Sequence, residues 1–269
     1  MFSNTLQVIR HHVSSAVGDL LYGQCGITGA DTTHTYAPFL WQPNDYYNDH
    51  YYEVYVYAGT NKGVTKRITD WVLSTFLMTV HSAYAAACDA TSYIELHHIF
   101  MVDELNKAIN LAIDSIADKY LIDKIDETTV LVADTYEYTL PTDIYYIHKI
   151  TTVELAGGGT FEESAVIDPR DYRLISPRKL KLDERQYGIT AGKDLRIEGQ
   201  GRQDVLTADT GICYLPLDWV KAEAILRLPL NKIQSNKLDS VLAQARVDAV
   251  SYRATERNSP NPCARKVVE

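Results

Sequence analysis

The chain has 269 residues, 46% of them apolar and 23% charged, which is enough to bury a core and unlike a disordered or disulfide-stapled peptide. A formal net charge of −9 argues against a protein that grips duplex DNA by neutralising phosphates, since that needs a basic face, although DNA could still slide past such a surface. Four widely spaced cysteines (Cys25, Cys88, Cys213, Cys263) form no C-x-x-C pair, so neither a zinc knuckle nor a redox motif is indicated.

The N-terminus, MFSNTLQVIRHHVSS, has no charged leader followed by an apolar stretch. The longest apolar run, Trp71 to Val80, is about half a membrane span and contains Ser74, Thr75 and Thr79. The expectation is a soluble protein with no export signal and no membrane partner. Tyrosine is over-represented, at 19 against 5 phenylalanines, which points to half-buried or interface surface and favours assembly. Charged residues more than double in density beyond about residue 100, a step that commonly marks a change of module.

Residues 3–22 place Leu6, Ile9, Val13, Val17 and Leu20 at steps of three and four, predicting one amphipathic helix with Ser3 as N-cap and Gly23 as its stop. Residues 23–49 read as an ordered, tyrosine-rich surface loop, so that 1–50 is a helix and long loop. A small antiparallel β insert is expected over 51–97, with strands at 53–58, 65–72, 76–80 and 92–96. Within 98–125, residues 102–121 carry a helical stripe (Val102, Leu105, Ile109, Ile113, Ile116, Tyr120) expected to pack on the first helix. Residues 126–215 read as a β-rich region, with strands at 128–132, 136–140, 145–154, 186–190 and 194–198. In 216–257 two helices follow, the first opened by Pro216 and broken by Pro229, the second over 236–257. The end, 258–269, with Pro260 and Pro262, reads as an extended arm. The fold class expected is α+β: a helical bundle core carrying a small β insert, a second β-rich region and an extended C-terminal arm.

The candidate chemistry is sparse. His97 and His98, with Asp103 and Glu104, are metal-ligating residue types, but adjacent histidines on a strand point to opposite faces. His11 and His12 diverge similarly on a helix and read as surface or interface residues. Gly157-Gly-Gly-Thr lacks the lysine of a phosphate loop and reads as a hairpin tip. The carboxylate pairs Asp168/Asp171 and Asp123/Asp126 read as caps and solvated turns. The basic residues Arg170, Arg173, Arg178, Lys179, Lys181 and Arg185 are interleaved with Asp168, Asp171, Asp183 and Glu184, as on a mixed surface or subunit interface. No catalytic, cofactor-binding or metal residue is assigned, and no enzyme is indicated.

Two stretches carry a likeness. One is Tyr55-Val-Tyr-Ala-Gly-Thr-Asn-Lys-Gly-Val-Thr-Lys-Arg-Ile-Thr-Asp70 with Asp89-Ala-Thr-Ser-Tyr-Ile-Glu-Leu96 and the helix from Val102 to Ile113. The other is Tyr136-Glu-Tyr-Thr-Leu-Pro-Thr-Asp143 with Ile147-His-Lys-Ile150, then Cys213-Tyr-Leu-Pro-Leu-Asp-Trp219 and an alanine-rich helix. Over most of 51–269 this arrangement resembles the head-to-tail connector (adaptor) proteins of tailed bacteriophages. The resemblance implies a non-enzymatic virion protein in the neck, at the portal vertex, made in the host cytoplasm. Its partners would be the portal protein, the tail or next neck protein, further copies of itself in a ring of twelve, and genomic DNA passing through the lumen without sequence-specific contact. By the same resemblance the C-terminal arm would dock on the portal through Pro260, Asn261, Pro262, Arg265, Lys266, Val267 and Val268, and no cofactor is implied. An acidic lumen wall would let DNA pass without sticking. The alternative is a receptor- or glycan-binding virion module that stacks sugars on the tyrosines of 51–57; a hydrolase built from scattered carboxylates ranks last.

Overall fold

The computed structural model describes residues 4–116, 120–154, 158–184, 188–255 and 265–267. In chain order the first elements are β1 (Asn4–Thr5), α1 (Leu6–Ala16), β2 (Leu21–Gln24), β3 (His34–Tyr36), α2 (Tyr46–Asp49), β4 (Glu53–Ala58), β5 (Thr65–Val72), β6 (Leu77–Val80), β7 (Tyr93–His97) and α3 (Val102–Asp114). Then come β8 (Ile122–Val130), β9 (Glu137–Thr139), β10 (Tyr146–Glu154), β11 (Thr160–Val166), β12 (Tyr172–Ile175), β13 (Lys179–Leu182) and β14 (Asp194–Gly201). The chain finishes with β15 (Ile212–Cys213), α4 (Leu217–Ile225), α5 (Leu230–Ser235), α6 (Asp239–Thr255) and β16 (Arg265–Lys266). It forms two compact units: Met1–Ile113 with Val205–Thr255, and Asp114–Asp204 with Glu256–Glu269.

The first unit is built on an antiparallel sheet of order β2-β7-β4-β5-β6-β3 that curls until its two edges approach, where Gly26 bridges Tyr36. Alternation on the central strands decides what the curl encloses. Val54 and Val56 of β4 and Ile94 and Leu96 of β7 point inward with Ile68, Trp71 and Met78, and all are buried in one cluster. Gly59 is required at the end of β4: its φ is +82°, and a Cβ there would stand 2.3 Å from the carbonyl oxygen of Thr91. Helices α1, α4 and α6 belong to this unit, with α4 packed against both α1 and α6.

In the second unit, β11-β10-β14-β8 form one antiparallel sheet, with β16 beside β10, and β12-β13-β9 form another. The two share a core that includes Leu140, Ile147, Ile150, Leu180, Leu182, Leu195, Ile197 and Val267.

The bundle core expected from the sequence is overturned, since strand accounts for 33% of the structure and helix for 23%. The helix expected over 3–22 runs only from Leu6 to Ala16, capped by Thr5 Oγ1 on the amide of Val8. It stops because Gly18 takes a φ of +73° and the amides of Gly18 and Asp19 turn back to the carbonyls of Ser15 and Ser14, after which Leu21 opens a strand. The loop read over 23–49 contains β3 and α2. The helix read to residue 121 ends at Asp114, and its Asn106 meets Arg10 of α1. Strands β11, β12 and β13 were not expected at all. Of the expected C-terminal arm, Arg265 and Lys266 are extended and pair with β10, and Val267 is buried.

Candidate functional site

The strongest concentration of ionisable groups lies where α1 crosses the outer face of β7. Helix α1 buries Leu6, Ile9 and Val13, but Arg10 and Ser14 fall on the same stripe and are buried with them. Strand β7 sends Ile94 and Leu96 into the curled sheet, so its alternate residues Glu95 and His97 must face α1. A third segment, residues 205–211, is held over both. Its Leu206 is bracketed by the amide of Asn110 on α3, and the carbonyls of Asp209 and Gly211 accept the amides of Gln7 and Leu6.

Arg10 sits at the centre. Its Nε lies 2.5 Å from Glu95 Oε1, and its Nη1 donates to Asp209 Oδ1 at 2.7 Å and to Asn106 Oδ1 at 3.0 Å. The guanidinium also stands 4.8 Å over the ring of Tyr55, whose hydroxyl donates to Asp209 Oδ2 at 2.7 Å. Glu95 Oε2 is 2.5 Å from His11 Nε2, and Ser14 Oγ is 3.0 Å from His97 Nδ1. Burial alone would raise the Glu95 carboxyl, but hydrogen bonds from His11 and His97 and the charge of Arg10 outweigh it and hold the group down at about 2. Burial likewise opposes the Arg10 charge, and Glu95 and Asp209 overcome it, raising its pKa.

Asp19 forms a second buried carboxylate beside this cluster. It accepts the amides of His98, Ile99 and Phe100 at 2.8–2.9 Å and lies 2.8 Å from His98 Nδ1. Burial pushes this carboxyl up, and the His98 and backbone hydrogen bonds bring it below its ordinary value. The segment before α3 is thereby clamped to the turn after α1. Ser14 beside His97 has the ingredients of an activated nucleophile, yet their side chains are 0% and 1% exposed, so substrate has no approach. The arrangement holds three segments in register.

Past the end of this cluster the same sheet face emerges into solvent as an aromatic patch. Tyr22 is 57% and Tyr93 37% exposed, Tyr57 is half-buried and lies 6.0 Å from Tyr93 between ring centroids, and the His11 ring sits 4.9 Å from Tyr22 and 5.1 Å from Tyr57. A cleft of about 260 Å³ adjoins it, lined by Val8, His11, His12, Ser15, Leu20 and Tyr22. On α6 the core side is Leu242, Ala245 and Ala249, whereas Val247 and Val250 are 63% and 71% exposed. With Ala243 they form an apolar stripe at helical spacing on the solvent side.

The residues singled out from sequence scatter. His97 is buried against Ser14, while His98 stacks on Tyr52 at 4.7 Å, so the neighbours diverge. Glu104 accepts the Met101 amide and pairs with Lys232. Among the described residues no group of three or more His, Cys, Asp or Glu side chains is placed to hold a metal ion. Asp168 caps the amide of Arg170, Asp126 caps Thr128, and Asp123 accepts from Gln200. Gly158 and Gly159 lie between the paired strands β10 and β11. In the basic cluster, Lys179 and Lys181 pair with Glu137, and Tyr172 is buried. Arg185 lies outside the described residues, as do Pro260, Asn261, Pro262 and Val268 of the expected docking arm. Of the tyrosines of 51–57, Tyr52 and Tyr55 are buried within the chain, whereas Tyr51 is exposed and the half-buried Tyr57 joins Tyr93 at the surface.

Sequence reasoning missed Arg10, Ser14, Glu95 and Asp209. A signal existed for the first: Arg10 falls four residues after Leu6 and three before Val13, a charge on an apolar stripe. Neither a family model nor a curated protein matches this sequence.

Proposed function

We propose that the chain is a structural subunit of the head-to-tail connector of a tailed bacteriophage, assembling with further copies into a ring between portal and tail. The observation that carries this reading is the stripe on α6. Val247 and Val250 stand 63% and 71% exposed on the side of the helix away from its own core, as an interface helix requires. The resemblance to connector proteins over most of residues 51–269 supports it. So does the use of the main charged cluster as a sealed clamp that keeps α1, β7 and the segment 205–211 in fixed register. A net charge of −9 suits a wall past which DNA moves.

Cryo-EM reconstruction of the portal vertex of particles carrying this protein tests the reading. A ring of copies between portal and tail, with α6 at the contact between neighbours, is the expected result. Density confined to fibres or to the capsid surface overturns it.

A second reading has one observation in its favour. The patch of Tyr22, Tyr57 and Tyr93 brings aromatic side chains to the surface beside a cleft that carries His11, His12 and Ser15, the combination of ring and polar groups that a pyranose uses. Saturable saccharide binding that is lost in Tyr22→Ala and Tyr93→Ala would move the assignment there.

A further inference from the structure

We propose that the edge of β10 at Tyr146 and Ile147 is a strand-exchange site, filled by Arg265–Val267 of the same chain in a dilute subunit and by these residues of a second copy where copies are concentrated, as in the assembly. That the partner is a neighbouring copy rests on the ring reading above.

One edge of β10 is taken by β14 along its length, from Tyr146↔Gln200 to Thr152↔Leu195. The other edge is divided. β11 pairs only with Thr151, Val153 and Glu154, leaving the first part of the strand as an open template that β16 occupies through Tyr146↔Lys266 and Ile147↔Arg265. Three features recognise the segment. The Val267 amide donates to the Tyr145 carbonyl at 2.7 Å, and the Val267 side chain, 2% exposed, enters the shared core. The Arg265 guanidinium stands 4.9 Å over the Tyr172 ring and donates to the Tyr172 carbonyl at 3.2 Å.

This is a small plug: two ladder pairs, one buried anchor and one stacked cation. Nothing in its contacts distinguishes the chain's own end from that of another copy, so occupancy follows effective concentration. Nine residues, 256–264, separate α6 from β16 in the sequence, a connection that reaches at most about 30 Å. Held side by side in a ring, copies would offer one another the same strand at high local concentration.

The test uses full-length chains carrying Cys263→Ser, since Cys25, Cys88 and Cys213 are buried. One copy carries Tyr146→Cys and the other Lys266→Cys; Cα atoms of directly opposed antiparallel residues stand about 4.5–5.5 Å apart, within disulfide range. The two are mixed at the highest soluble concentration and oxidised with copper phenanthroline. The expected result is a disulfide-linked heterodimer from the mixture, absent from either copy alone and reduced at least tenfold by Val267→Asp. A chain carrying both substitutions checks the geometry by closing its own disulfide. If it closes and the mixture yields no interchain disulfide, exchange is overturned. Native mass spectrometry of the same samples separates the two ideas: rings without the interchain disulfide remove exchange and leave the ring, whereas linked pairs that never grow beyond dimers keep exchange and remove the ring.

Discussion

Arg10 and Glu95 are 85 residues apart in sequence and 2.5 Å apart in the fold, with both side chains wholly excluded from solvent. Removing one member of such a pair strands the other charge in the interior, and here Arg10 also neutralises Asp209. Arg10→Met is therefore expected to destabilise the first unit by about 3–5 kcal/mol. Glu95→Gln added to it should cost less than the sum of the two single changes, because the stranded carboxylate is gone. Urea unfolding of the two single variants and the double variant measures this coupling. Strict additivity would mean that the pair carries no mutual stabilisation.

Acid should act on the same cluster. Glu95 is held at about 2 and Asp19 also lies below its ordinary value, while in the unfolded chain both return to about 4. Groups depressed by folding stabilise the native state above their unfolded pKa, and that contribution is lost as pH falls through the folded value. Thermal stability should accordingly hold from pH 7 to about 5 and decline between about 4.5 and 2. Glu95→Gln should start lower and show a shallower decline. Melting temperature followed by circular dichroism across this range checks both statements.

Strands rich in β-branched and aromatic residues were legible from the residues alone. β4 and β5 begin and end where Glu53-Val-Tyr-Val-Tyr-Ala and Thr65 to Val72 predict, although a register shift in the pairing of each breaks its alternation. β12 and β13 were hidden by their outward charges: in Lys-Leu-Lys-Leu the two leucines are buried and the lysines pair with Glu137, so a half-buried strand reads as a basic surface patch. The length of α1 was misjudged because Leu20 continues the helical spacing past Gly18, and only the left-handed backbone at that glycine shows where the helix stops. The cluster around Arg10 was illegible for a different reason. Its members come from α1, β7 and residue 209, and no local period predicts a pairing across 199 positions.

The second unit depends on two close backbone approaches that only glycine permits. A Cβ on Gly201 would stand 1.7 Å from the carbonyl oxygen of Asp143, and one on Gly199 2.2 Å from that of Tyr146, so β14 could not keep its place beside the chain leading into β10. Gly201→Ala is expected to cost more than about 2 kcal/mol, above the ordinary range for an exposed site. Gly188→Ala, where nothing lies within 4 Å, is the matched control and should be near neutral. Hydrogen exchange resolved by segment should place the loss of protection in β8, β10 and β14, leaving the curled sheet of the first unit unchanged.

The two sides of α6 should separate folding from assembly. Ala245 is 3% exposed and faces the core, so Ala245→Glu buries a charge without a partner and should unfold the helix from α4. Val247 and Val250 face solvent, and Val247→Glu or Val250→Glu should change monomer stability by no more than about 0.5 kcal/mol. In a ring these positions become interior, where a carboxylate would be desolvated against the surface of an already acidic neighbour. Both variants should therefore fold normally yet fail to join DNA-filled heads to tails, while Val247→Leu retains both properties. Infectious particles at wild-type titre from Val250→Glu would remove α6 from the interface and, with it, the main structural support for the connector reading.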